Sequence, residues 1–136
     1  MNGKKLLKDK ERKVKLPKIG KLQKDCDTRM QQIGTQLNPK CEVCGKPVSC
    51  MHHFFPKSVS SALRYDWDNL IPICNGCHNR HHQANDPRIH ETIRQKRGGD
   101  VWYERLLRKK YIDVRVNREY YATVMEKLEN HLLRKS

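Results

Sequence analysis

Between Lys21 and Leu37 the apolar positions Leu22, Cys26, Met30, Ile33 and Leu37 recur at helical spacing, so one side of this stretch is an apolar stripe. The pattern predicts a helix over about 21–34, stopped by Asn38-Pro39, with Cys26 as a small buried hydrophobe. Toward the other end, Asp86-Pro87 gives a cap followed by proline in the first turn, and Gly98-Gly99 gives a stop. Asp100 can cap a next helix that buries Trp102, Tyr103, Leu106 and Leu107. After an extended Ile112 to Val116, a last helix starts near Asn117 and carries the stripe Tyr120, Tyr121, Val124, Met125, Leu128 and Leu132. His90 and His131 fall on the surfaces of these helices and read as ordinary. No internal repeat is present.

The chain has 136 residues, the length of one domain, yet only 36% are hydrophobic. Its core must be small and in need of a second constraint, which six Cys can supply. No run is apolar enough to span a membrane and MNGKKLLKDK has no apolar signal core, so a reducing cytoplasm is expected, where paired Cys bind metal rather than form disulfides. The formal charge of +14 points to a polyanion. Nucleic acid fits better than a membrane, because no basic segment carries the apolar face that lipid requires. Residues 1–24 hold ten Lys and Arg against Asp9 and Glu11, so more than half the excess sits there. With Pro17 and Gly20 breaking any helix, residues 1–20 read as a disordered arm that follows phosphates or, more blandly, as a solubilising tail.

Cys41-Glu-Val-Cys44-Gly and Cys74-Asn-Gly-Cys77 are two C-x2-C knuckles, suited to a tetrahedral structural Zn2+. The gap between them exceeds that of a compact zinc ribbon, so something has been built between the knuckles. A redox role is disfavoured, since neither pair lies in a βαβ pattern. Cys50 is left over, a packed thiol or a substitute ligand.

Five of the seven His lie in this region: His52, His53, His78, His81 and His82. On a helix opening near Asn75, His78 and His82 project from one face and can share an ion, while His81 lies to the side. A His pair, an Asn and a His after C-x2-C, here MHHFFP, DNLIPIC and CNGCHNRHH, resemble the HNH, or ββα-metal, endonucleases over about Cys41 to His82. The double His and the second helical His also resemble the nuclease colicins. SALRYDWDNLIPIC followed by CN, with the later Gly98-Gly99, is similar to the NinG (Rap) recombination nucleases of lambdoid phages, which act on branched intermediates.

The resemblance implies His53 as general base on a first strand and Asn69 as the residue that fixes the loop between strands and so orients that His. It implies His52, His78 and His82 as ligands of one catalytic divalent ion that stabilises the departing 3′ oxygen, with Cys41, Cys44, Cys74 and Cys77 holding structural Zn2+. His81 competes with His82 for the last ligand position, and spacing favours His82. Lys57, Arg64 and Arg80 are candidates for phosphate contact, though a solvated face explains each equally well.

Elementary chemistry agrees, since a neutral imidazole can take a proton from water near neutral pH and a divalent ion can act as Lewis acid on a phosphate. Imidazole ligands suit Mn2+, Ni2+ or Co2+ better than Mg2+ alone. Adjacent strand residues face opposite ways, so His52 and His53 need a bulge or twist to serve one site. The expectation is therefore a small α+β protein, with a zinc-stapled ββα-metal (His-Me finger) core over about 40–84 and a helical part over 86–136, residues 21–136 forming one domain behind the arm. Its expected function is metal-dependent DNA endonuclease on duplex or branched DNA, with no membrane partner. A homodimer would suit paired cuts, and a phage protein would work in the bacterial host cytoplasm. The alternative is a non-catalytic, zinc-dependent DNA-binding protein.

Overall fold

The computed structural model describes residues 15–136. Most of the basic arm, residues 1–14, lies outside the described residues. Helix α1 spans Ile19–Leu37, so it begins earlier than expected and takes Gly20 into its first turn. A glycine there costs little, because the first turn has few hydrogen bonds to lose and the apolar stripe behind it anchors the helix. Cys26, Met30 and Ile33 are buried, with Leu22 and Leu37 packed at the margin. The helix also runs past Gly34 to Leu37, where the Asn38 backbone and side chain both donate to the Gly34 carbonyl.

Two short strands, β1 (Cys50–His53) and β2 (Leu70–Ile73), pair antiparallel with Cys50 opposite Ile73 and His53 opposite Leu70. Helix α2 (Asn75–His82) follows directly, so the strands and this helix form a ββα unit within a small α+β fold. Then come α3 (Pro87–Arg97), α4 (Asp100–Lys110) and α5 (Arg118–Lys135). Asp86 and Asn117 cap α3 and α5 by accepting from backbone amides of the first turn. Asp100 does not cap α4: it is already the first helical residue, Gly99 stands at the cap, and its carboxylate pairs with Arg94. Gly98 and Gly99 both take positive φ, which is what lets α3 turn so sharply into α4.

The sheet buries both faces. Ile71, Ile73 and Phe54 pack with Leu63, Ile89, Ile93, Trp102 and Leu106 on the side of α3 and α4. Met51 and Leu70 pack on the other side with α1 and with Tyr121, Val124 and Leu128 of α5. Arg97 ties α3 to the sheet by donating to the Glu42 carboxylate and to the Trp67 and Leu70 carbonyls. Trp102 Nε1 donates to the Asp68 carbonyl. Among the described residues no helix is long and apolar enough to cross a membrane.

β1 is held on its outer edge by a side chain. The Met51 N–H donates to Gln31 Oε1 at 2.7 Å, and Gln31 Nε2 donates back to the Met51 carbonyl at 2.9 Å. One carboxamide of α1 thus occupies the edge that a third strand would take. Helix and strand come close because residue 34 is glycine: a Cβ there would meet Met51 Cγ at 2.5 Å. Gly34→Ala is therefore expected to lower stability by about 1–3 kcal/mol despite alanine's better helix propensity. Gly20→Ala, with open space around it, should be neutral or mildly stabilising. Urea unfolding of the two variants measures both, and equal stability would remove the close-packing explanation.

Candidate active site and metal centres

The two knuckles meet at one end of the sheet. Cys41 and Cys44 sit in the turn before β1, and Cys74 and Cys77 open α2 directly after β2. Their four sulfurs lie within 4.8 Å of one another, and Cys44 Sγ is 3.5 Å from Cys74 Sγ. Sulfurs about 2.3 Å from a tetrahedral zinc stand roughly 3.8 Å apart, so the set fits the ion. Burial opposes ionising Cys74, but the Cys77 backbone amide and the neighbouring thiols bring its pKa down to about 7. Burial and the bond from Cys74 push Cys77 up to about 12. Four thiolates cannot crowd together without a cation to neutralise them. The Arg80 guanidinium donates to Cys77 Sγ at 3.5 Å, so this candidate phosphate contact is also a neighbour of the thiol cluster.

The histidines gather at the middle of the fold. His52 points to the α2 side of the sheet, and its ring lies 5.2–5.4 Å, centroid to centroid, from those of His78, His81, His82 and His90. The nitrogens of His52, His78 and His82 approach within 4.8 Å of one another, which fits the expected ligand set. His81 is not off to the side, because it forms a second such group with His52 and His90. His90 was read as an ordinary surface residue. It is instead half-buried, with Nε2 3.0 Å from His52 Nε2 and its ring stacked between Phe54 and His81. Helical spacing within α2 could not show that α3 folds back over it. His131, by contrast, stacks on Trp67, away from this cluster.

Four of these imidazoles are shifted toward the neutral form. Burial, reinforced by His90 and the three histidines of α2, lowers His52 to about 3, and burial with His81 and His82 lowers His90 to about 4. His78 and His81 are lowered too, chiefly by burial. A cation entering the cluster therefore meets free lone pairs and displaces few protons. Cys50 lies beside the cluster, its sulfur 3.9 Å from His78 Nδ1.

His53 ends β1. The strand pairing is continuous and contains no bulge, yet His52 and His53 line one cavity of about 480 Å3. The position of His53 at the last paired residue, where the chain leaves the sheet, meets the demand that a bulge or twist was expected to meet. Its Nε2 is 2.9 Å from the Arg64 carbonyl oxygen, an acceptor only, so Nε2 carries the hydrogen and Nδ1 keeps its lone pair. Burial lowers the His53 pKa and the carbonyl bond raises it, while Lys57 and Arg64 lower it further; the net shift is downward. Lys57 is exposed and lines the same cavity.

Asn69 is completely buried. Its Oδ1 accepts from the Phe55 N–H at 2.8 Å, and its Nδ2 donates to the carbonyls of Phe55 and Leu63. It thus closes both ends of the loop between the strands and sets Leu63 next to the carbonyl that His53 uses. The Arg64 side chain turns the other way, donating to both carboxylate oxygens of Asp27 at 2.6 and 3.1 Å, where Tyr65 also donates. It is three-quarters or more shielded and committed to α1, so the structure does not present it as a free cation.

Comparison with known proteins agrees with this geometry. Residues 41–84 match the family model for HNH endonuclease, and this segment contains both knuckles, β1, Asn69 and α2. A mitochondrial DNA mismatch repair protein mutS homolog of Sarcophyton glaucum is 40% identical over 42 residues, which is 28% of this chain and 4% of that protein. The chain thus spans a very small fraction of the length of that curated relative. No solved structure matches.

Asp27 gives this region an acid dependence. Burial opposes its charge, but bonds from Arg64 and Tyr65 prevail and hold its pKa below 3.8. A lowered native pKa means that the stabilisation is complete above the ordinary carboxylate range and is lost as pH falls through the native value. Asp27→Asn should cost ~1.5–3 kcal/mol at pH 7 by removing charge-assisted bonds, and should flatten the fall in stability below about pH 4. Denaturant unfolding from pH 7 to pH 2 reads both effects, and an unchanged acid limb would rule out the Asp27 assignment.

Proposed function

We propose that the protein is a metal-dependent DNA endonuclease that hydrolyses phosphodiester bonds, with His53 as general base. The observation that carries this reading is the bond from His53 Nε2–H to the Arg64 carbonyl, which leaves Nδ1 as a neutral base in the cavity shared with the histidine cluster. The HNH match over residues 41–84 supports the chemistry, and the DNA-repair name of the partly similar Sarcophyton glaucum protein supports DNA as the polymer. The charge of +14 supports a polyanionic partner, duplex or branched.

In this reading His53 Nδ1 takes the proton of an attacking water as its oxygen adds to the phosphorus, and the imidazolium that forms is stabilised by the carbonyl accepting from Nε2. Asn69 is a positioning residue that holds the loop carrying that carbonyl. His52, His78 and His82 would hold the catalytic divalent ion, which when bound would supply Lewis-acid stabilisation of the phosphate and of the departing 3′ oxygen. Three imidazoles without a carboxylate favour Mn2+, Ni2+ or Co2+, with Mg2+ usable where substrate oxygens complete its shell. Cys41, Cys44, Cys74 and Cys77 would hold structural Zn2+. Lys57, at the cavity, is the better placed phosphate contact, and Arg80 a second from α2. Residues 21–136 act as one domain and the basic arm adds backbone affinity. Branched recombination intermediates are the proposed substrate and a homodimer the form that would cut them in pairs, both on the similarity to recombination nucleases.

Wild type and His53→Ala, with zinc content shown equal, should be compared on a labelled four-way junction and on a linear duplex of the same sequence. Wild type is expected to cut with Mn2+, Ni2+ or Co2+, and the variant to lose on the order of 10²–10⁴-fold in rate while still binding DNA. Preference for the junction supports the branched substrate, and equal cutting removes it. Binding without cleavage by wild type under all these metals would overturn the nuclease and leave a zinc-dependent DNA-binding protein.

A further inference from the structure

His90 belongs to α3, outside the segment that matches the HNH family, yet it reaches the centre of the histidine cluster. Its Nε2 stands 3.0 Å from His52 Nε2. Two imidazole nitrogens bound to one ion at 2.0–2.1 Å stand about 2.9 Å apart at a right angle and about 3.3 Å apart at the tetrahedral angle. The His52–His90 pair already has that spacing. His81 supplies the third nitrogen, all three lying within 4.8 Å of one another. Its ring stacks on that of His90 at 4.0 Å, so to aim its in-plane lone pair at an ion seated by His52 and His90 the His81 ring has to turn about χ2, a torsion with a broad well.

The geometry points to a second seat for a transition-metal ion, formed by His52, His81 and His90, beside the seat formed by His52, His78 and His82. This rests on the metal-site part of the function proposed above and adds a ligand set to it. Because both seats use His52, they are alternative positions for one ion rather than a two-metal centre. They differ in enclosure: His82 is exposed, whereas His81 and His90 are both half-buried. The first seat is therefore the one open to a phosphate, and the second holds the ion further from solvent. Phe54, stacked on the opposite face of His90 at 4.2 Å, keeps that ring in place from the apolar core.

Full-length protein carrying one zinc per chain in its thiol site, verified by elemental analysis, would be titrated with Ni2+ by calorimetry. Wild type and His90→Phe, which preserves the ring stack, should each bind one Ni2+. The double variant His78→Ala/His82→Ala should still bind one Ni2+ through the second seat. Adding His90→Phe to that double variant should weaken binding by on the order of 100-fold or more. Loss of all Ni2+ binding in the double variant, with its zinc and helical content retained, overturns the second seat, as does indifference of the double variant to His90→Phe. Two equivalents of Ni2+ bound by wild type overturn the claim that the seats exclude each other. Since the readout is stoichiometry and affinity, a wild type that binds Ni2+ in both ways but cuts no DNA would sink the nuclease reading and leave this one standing.

Discussion

The site depends on one buried carboxamide. Asn69, at the far end of the loop between the strands, makes three hydrogen bonds to backbone groups at its start (Phe55) and in its interior (Leu63), and it is completely shielded from water. Removing any partner would leave a buried polar group unsatisfied, at a cost well above the worth of the bond itself. That asymmetry fixes the loop more firmly than eight strand residues could alone. From the loop comes the Arg64 carbonyl, from the carbonyl the tautomer of His53, and from the tautomer a free Nδ1. The Arg64 side chain strengthens the same point from outside by its ion pair with Asp27 of α1.

The electrostatics follow from what the cluster lacks. Its five histidines have no carboxylate among them, and each that is strongly shifted is shifted toward the neutral form by burial and by its neighbours. The imidazoles so shifted resist taking up protons, whereas a borderline cation satisfies several lone pairs at once. The thiol cluster poses the complementary problem. There the ligands must lose protons, and Arg80 with the backbone amide of Cys77 provides positive potential next to the sulfurs.

Much of this was legible in the sequence, and the parts that were not share a cause. The stripes of α1 and α5, the caps at Asp86 and Asn117, the Gly98-Gly99 turn and the two knuckles all depend on local spacing, and each lies where spacing puts it. Spacing also brought His52, His78 and His82 together on paper. His90 was missed because its partner is a strand 38 residues away, and no periodicity within α3 reports what that helix packs against. The engagement of Arg64, a candidate phosphate contact, was hidden for the same reason, since Asp27 becomes its partner only through the fold, whereas Arg80 and Cys77 are neighbours within one helix. Gly20 was overrated as a breaker: propensity is weak at a helix end when a buried stripe follows.

The segment that matches the HNH family is too small to bury itself. On one face of its sheet the covering side chains come from α3 and α4, and on the other from α1 and α5, all outside residues 41–84. Without Ile89, Ile93, Trp102 and Leu106 the side bearing Ile71, Ile73 and Phe54 would be open to water, and those four lose essentially all their exposure on folding. The flanking helices are thus a thermodynamic requirement of so short a ββα unit, with or without its zinc. Once α3 must pack there to bury Ile89 and Ile93, His90, the residue next to Ile89 in sequence, is carried to the rim of the same contact, against Phe54 and His81. A helix recruited to complete the core therefore delivers a fifth imidazole to the metal-binding end of the fold, so that the set of ligands available to an ion is decided partly by core packing outside the family motif.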